Sequence, residues 1–93
     1  MIRINCFFQA GEGETNYKDA LRAAVSLAEK SRKHTGCVAY DVFQSTSRAD
    51  VFMICETWQD QASLDKHCAT SEYKRYCPVL SKCGNVKVEQ MEL

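Results

Sequence analysis

The 93-residue sequence has little proline (one residue), a single tryptophan, two histidines and no net formal charge. No apolar run approaches the roughly 20 residues needed to span a bilayer, so no membrane-crossing helix is expected. Basic residues form no extended patch. The densest group, Lys30 to His34, reads as a solvated helix end. The electrostatic footprint of a nucleic-acid binder is therefore missing. No two cysteines have the close spacing of a structural zinc site, and no nucleotide-binding motif occurs. Met1–Asn5 lacks the basic region and apolar core of a secretory signal, which points to the cytoplasm. No repeat, linker or low-complexity stretch interrupts the chain, and residues 1–93 are expected to form one domain.

Cysteine, in contrast, is plentiful: Cys6, Cys37, Cys55, Cys68, Cys77 and Cys83. An even count in a short chain can signal three disulfides. These cysteines sit inside apolar periodic segments, however, where a free thiol acts as a small hydrophobe. Reduced core thiols are expected, with Cys83, beside Gly84, as the exposed exception.

Hydrophobic periodicity divides the chain. Ile2 to Ala10 is a strand with Ile2, Ile4, Cys6 and Phe8 on one face and Arg3, Asn5, Phe7 and Gln9 on the other. Asn16 to Lys33 is an amphipathic helix, with Thr15 or Asn16 as its cap, a stripe through Tyr17, Ala20, Leu21, Ala24 and Ala28, and Gly36 as its stop. Cys37 to Gln44 is a second strand, with Val38, Tyr40 and Val42 opposite Cys37, Ala39 and Phe43. Val51 to Trp58 is a third strand, almost wholly apolar until Glu56, as a central strand should be. Asp60 caps a short helix reaching about Ala69. Ser71 caps another, whose stripe is Tyr73, Tyr76, Cys77 and Leu80 and which Pro78 should kink or end. Val86 and Val88 alternate with Lys87 and Glu89 in a last strand. The order is βαββαβ, that of a ferredoxin-like α+β sandwich with a four-stranded antiparallel sheet. Helices cover one face of such a sheet. In so small a chain a second copy is the simplest cover for the other face.

The densest chemistry lies at one strand-helix corner. Glu56 and Trp58 share a strand face, and His67 lies one helical turn beyond Leu64. An acid, an indole and an imidazole can therefore meet there. His67, whose ordinary pKa is near neutrality, is a candidate base or a structural histidine of the helix-sheet contact. Glu56 either orients His67 and tunes its pKa or accepts structural hydrogen bonds. Trp58 either stacks on a planar substrate or locks the strand end. Asn5, ill-suited to mid-strand, faces a substrate oxygen or a partner sheet. Tyr40, Tyr73 and Tyr76 are candidate cavity walls or ordinary core-edge aromatics. Phe7, Phe43 and Phe52 belong to the core or to a dimer interface.

Over nearly its whole length the chain resembles the antibiotic biosynthesis monooxygenase family of dimeric α/β barrels. The resemblance is carried by Met1-Ile2-Arg3-Ile4, by Gly36-Cys37-Val38-Ala39-Tyr40, by Phe52 to Trp58 with Asp60, Leu64 and His67, and by Ser71-Glu72-Tyr73. It implies a homodimer with face-to-face sheets and a cavity between each sheet and its own helices. It also implies oxidation of a quinol or related phenolic or polycyclic aromatic by O₂, with no metal and no cofactor. His67, Asn5 and Glu56 would be catalytic, and Trp58, Tyr40, Tyr73 and Tyr76 would bind substrate. The alternative is a non-catalytic dimeric module holding a small aromatic metabolite. A heme-degrading branch is a poorer match: Asn5 can fill its first-strand role, but His67 stands where its tryptophan would be and Cys77 where its heme-ligating histidine would be.

Overall fold

The computed structural model describes residues 1–93. Its elements are β1 (Ile2–Ala10), α1 (Asn16–Ser31), β2 (Cys37–Gln44), β3 (Val51–Trp58), α2 (Gln61–Cys68), α3 (Ser71–Cys83) and β4 (Gly84–Glu92). The strands form one antiparallel sheet in the order β2-β3-β1-β4. This is the ferredoxin-like α+β arrangement, with apolar β3 and β1 in the centre.

Strand alternation divides the sheet into two unlike faces. Ile2, Ile4, Cys6 and Phe8 of β1 point toward the helices and are buried, as are Phe52, Ile54, Glu56 and Trp58 of β3. The other face carries a row of Phe43, Met53 and Phe7 across β2, β3 and β1. Phe7 is 37% exposed and Phe43 53%, so this row has no cover within the chain. Phe52, by contrast, is a core residue stacked on Phe8 with ring centroids 4.7 Å apart.

The α1 helix packs flush because its inner face is small: Ala20, Ala23, Ala24 and Ala28 flank Leu27. Small side chains let the helix axis approach the sheet without leaving a void. The second helical region is different. Asp60 accepts from the Ser63 N–H (2.8 Å) to start α2, and Thr70 accepts from the Tyr73 N–H (3.2 Å) to start α3. The α3 cap is thus Thr70, one residue before the expected Ser71. For α1, Thr15 holds the cap position without a side-chain bond, while Asn16 donates to the Glu12 carbonyl (2.6 Å).

Three expectations need correction. Of the two outcomes expected at Pro78, a kink or an end, the helix does not end there, because α3 continues to Cys83 with the proline inside it. Pro78 and Lys74 lie on the exposed side, so the Lys74 carbonyl that loses its N–H partner faces water. Beyond the proline, Leu80 and Cys83 are buried against the core and hold the last turn down. The same continuation buries Cys83, which was expected to be exposed. Finally, β2 has a register shift between Cys37 and Ala39. The extra residue, Val38, is 54% exposed, and Cys37 moves onto the face of Tyr40, because Trp58 and Glu56 are their respective partners.

Gly36 joins α1 to β2 at φ +82°, a left-handed conformation that favours glycine. Its carbonyl accepts from the Gln59 N–H (2.8 Å), and a Cβ there would collide with the Ser63 side chain. The turn that carries His34 is thereby clamped to the start of α2. Gly36→Ala is expected to destabilise the fold by on the order of 2 kcal/mol through backbone strain and overpacking. Urea unfolding measures this, and an unchanged midpoint would contradict the clamp.

Candidate active site

One row of the sheet forms the floor of the site. Tyr40, Glu56, Ile4 and Gln90 are successive cross-strand partners on the helix-facing side. All four line a cavity of about 370 Å³. Leu64 and Cys68 of α2, with Tyr73, Cys77 and Leu80 of α3, form the roof. Tyr73, Cys77 and Leu80 share one α3 face by their i, i+4, i+7 spacing. The cavity lies under α2 and α3 and not under α1, whose alanine face leaves no space. Gln90 Nε2 donates to Gln61 Oε1 (3.0 Å) and so ties β4 to α2 beside the cavity.

Glu56 is the one carboxylate in this mostly apolar wall. Trp58 Nε1 donates to Glu56 Oε1 at 2.8 Å, which the i, i+2 spacing on one strand face makes possible. Burial pushes the Glu56 carboxyl above the ordinary carboxylate range, while Trp58 and Tyr40 pull the other way. Burial also raises the Tyr40 and Tyr73 hydroxyls well above the usual phenol range. Both stay protonated donors near neutrality.

His67 stands behind Glu56 and does not line the cavity. Its side chain is fully buried, with its ring centroid 4.5 Å from that of Trp58, 5.2 Å from Tyr73 and 5.6 Å from Tyr40. Its Nε2 lies 4.0 Å from Glu56 Oε1 and has no hydrogen-bond partner. Its Nδ1 is 3.1 Å from His34 Nδ1, and His34 Nε2 is 3.1 Å from Glu72 Oε2. Burial, with the nearby His34, pushes the His67 pKa down to about 4. Glu72 is held below the ordinary carboxylate range by its bond to His34.

The site therefore gathers His67, Glu56, Trp58, Tyr40 and Tyr73 and leaves two candidates outside. Asn5 lies on the opposite face of the sheet, where Cys55 Sγ donates to its Oδ1 (3.1 Å). Strand alternation keeps it from the cavity, so its assignment to the cavity's catalytic group is corrected. Tyr76 turns toward α1: its ring is 5.9 Å from Lys30 Nζ and it does not line the cavity. Trp58 is fully buried, bonded to Glu56 and packed against His67 and Tyr40, and it does not line the cavity, so it does not offer a face to a substrate. His34 and Glu72 are functional candidates that the sequence reading missed. By sequence His34 falls in the basic stretch at the end of α1, and its partner His67 is 33 residues away. The arrangement of the heme-degrading branch does not fit, because Asn5 and Cys77 lie on opposite sides of the sheet.

The fold and site define a ferredoxin-like α+β protein with a buried carboxylate–indole–imidazole knot against an apolar cavity. The family model described as "Antibiotic biosynthesis monooxygenase" matches residues 1–79, and the chain belongs to that family. A crystal structure of a conserved protein of unknown function from Bacteroides thetaiotaomicron, described as a possible oxidoreductase, is 41% identical. It superposes with a TM-score of 0.93 over 99% of this chain and 96% of that one. A crystal structure described as an antibiotic biosynthesis monooxygenase is 28% identical, with a TM-score of 0.87 over 100% of this chain and 98% of the other. The Bacillus subtilis protein named "Putative monooxygenase YcnE" is 29% identical over 59 residues, 63% of this chain and 62% of that protein. A Synechocystis protein, sll1783, is 27% identical over 68% of this chain and 46% of its own length. The chain thus covers less than two thirds of each of these two curated relatives. No helix is long and apolar enough to cross a membrane.

The depressed His67 pKa has a consequence for stability. An unfolded histidine binds a proton below about 6.5, whereas folded His67 does so only near about 4. Between those values the unfolded state holds more protons, so folding weakens as pH falls, by on the order of 3 kcal/mol across the window. Glu56 acts oppositely: its raised carboxyl contributes most at low pH, and that contribution is lost as pH rises past the ordinary carboxylate range. Urea unfolding of His67→Gln between pH 7 and pH 4 is expected to lose most of the acid-side decline. A decline as steep as in the unaltered protein would contradict the buried neutral imidazole.

Proposed function

We propose that the protein is a cofactor-independent monooxygenase, acting as a cytoplasmic homodimer of one-domain chains spanning residues 1–93. Its substrate is a quinol or a related phenolic or polycyclic aromatic, oxidised by O₂. The observation that carries the reading is a single buried carboxylate, raised in pKa, set in the wall of an apolar cavity of about 370 Å³. A hydroquinone and O₂ yield a hydroxyquinone and water, so the reaction balances without an external reductant.

Glu56, and not His67, is the base that meets the substrate, since only Glu56 faces the cavity. A raised carboxyl is better matched than an ordinary one to a weakly acidic phenol. Removal of the phenolic proton makes an electron-rich anion that can pass an electron to O₂. The Tyr40 and Tyr73 hydroxyls line the same cavity and stay protonated, so they can donate to the oxygen on which charge develops. Apolar walls keep water from the intermediate. The cavity thiols suit an electrophilic product: burial pushes Cys6 up to about 11, Cys77 up to about 12 and Cys68 above the usual thiol range, so none is a thiolate near neutrality. The uncovered row of Phe7, Met53 and Phe43 supports dimerisation through the open sheet face. All six cysteines are unpaired, which suits a reducing compartment.

Oxygen uptake with a panel of pre-reduced hydroquinones tests the reading, using metal-free protein and a heat-inactivated control for autoxidation. Saturable, chelator-resistant uptake is expected, falling about 100-fold in Glu56→Gln, while light scattering gives twice the chain mass for both proteins. Uptake no greater than the control across the panel would favour the binding module for a small aromatic metabolite. A monomer at micromolar concentration would remove the dimer.

A further inference from the structure

Glu72, His34, His67 and Glu56 form a line from the surface to the cavity. Glu72 is 32% exposed and His34 17%, whereas His67 is fully buried and Glu56 nearly so. The contacts along the line are 3.1 Å, 3.1 Å and 4.0 Å. We propose that Glu72, His34 and His67 are a proton relay that connects Glu56 in the cavity with solvent. The purpose of the relay rests on the oxygenase reading, but its existence can be tested without turnover.

The tautomers follow from the outer end. Ionised Glu72 only accepts, so His34 Nε2–H donates to it. His34 Nδ1 is then a lone pair and accepts from His67 Nδ1–H. That leaves His67 Nε2 bare, facing Glu56 Oε1. A buried acceptor without a partner is costly and rare in folded proteins. A protonated Glu56 supplies the missing donor once the pair closes by roughly 1 Å to hydrogen-bond distance. The orphaned nitrogen is the mark of a group that waits for a proton.

Outward transfer moves one proton at each contact. The Glu56 carboxyl proton passes to His67 Nε2, the His67 Nδ1 proton to His34 Nδ1, and the His34 Nε2 proton to Glu72, which releases it to water. Both rings finish in the opposite tautomer. Return of one proton along the same line restores them. This pairing matches a reaction that first takes a proton from a phenol and later needs one to form water, with none gained or lost overall. The buried ring is suited to conduct and not to store, because its depressed pKa disfavours a standing imidazolium.

Other titratable groups surround the line without joining it. Tyr40 on β2, Cys68 on α2, and Tyr73 and Cys77 on α3 face its inner end, and all four are raised by burial. Lys33 and Lys66 flank the surface pocket at its outer end. His34 and His67 act through Glu56 and are positioning residues of the relay, whereas Glu56 meets the substrate.

Trp58 supplies the readout. It is the sole tryptophan and it donates to Glu56 Oε1, so its emission senses the charge on that carboxylate. The experiment is a stopped-flow pH jump on the whole protein, following tryptophan fluorescence. The expected result is a relaxation that Glu56→Gln abolishes. Glu72→Gln and His34→Gln should slow it at least about tenfold without changing its amplitude, and added imidazole should restore the rate in His34→Ala. Glu72→Gln is a surface change, so it keeps the test open if a histidine variant misfolds. Relaxation at the unaltered rate in Glu72→Gln and His34→Gln would overturn the relay, because protons would then reach Glu56 through the cavity. Hydroquinone-dependent oxygen uptake on the same proteins separates the two claims. Slowed relaxation without any uptake supports the relay and sinks the oxygenase, whereas uptake with unslowed relaxation does the reverse.

Discussion

Desolvation of one carboxylate is the constraint around which the site is organised. Glu56 sits at the end of a central strand among apolar neighbours, where an ionised group is costly unless donors surround it. The nearest donor is the indole of Trp58, two residues along the same face. Trp58 in turn holds the His67 ring, and His67 turns its other nitrogen to His34. The sole tryptophan, both histidines and one buried acid are therefore joined in one packed unit. Few polar groups are buried in this small core, and most of the chemistry is concentrated here.

The backbone makes room for that unit by treating its two helical regions differently. Alanines let α1 lie close on the sheet and fill it. The second region is broken between α2 and α3, each with its own capped start, and stands off far enough to leave a cavity over Tyr40, Glu56, Ile4 and Gln90. Gly36 joins these arrangements, since only a residue without a side chain passes so close to Ser63. That turn delivers His34 to His67. The same sheet thus forms the cavity floor toward its helices and leaves the row of Phe7, Met53 and Phe43 without cover within the chain on its other face.

Much of this was legible in the sequence because it depends on short-range periodicity. Strand alternation placed Glu56 beside Trp58 and separated Ile4 from Asn5, and the i, i+3 relation placed His67 with Leu64. The bounds of β1, β2 and β3 follow from such local patterning, whereas β4, legible only around Val86 to Glu89, runs from Gly84 to Glu92. What could not be read depends on contacts distant in sequence. The bulge at Val38 changes a face by adding one residue, which alternation alone does not signal. Pro78 was read by its local cost, yet the buried Leu80 and Cys83 beyond it keep the helix intact. The side of the sheet that carries Asn5 was clear, but which side holds the cavity depends on where the helices dock. The His34–His67 contact joins a turn to a helix across 33 residues, and no spacing rule reaches that far.

Burial pushes the Glu56 carboxyl above the ordinary carboxylate range, and the proposed role of Glu56 as a base depends on that shift. Infrared difference spectroscopy across a pH titration tests it most directly, with Glu56→Gln identifying the band. The account predicts a protonated carboxyl stretch that persists above the ordinary carboxylate range and is missing from the variant. Complete ionisation within that range, with the same titration in both proteins, would contradict it.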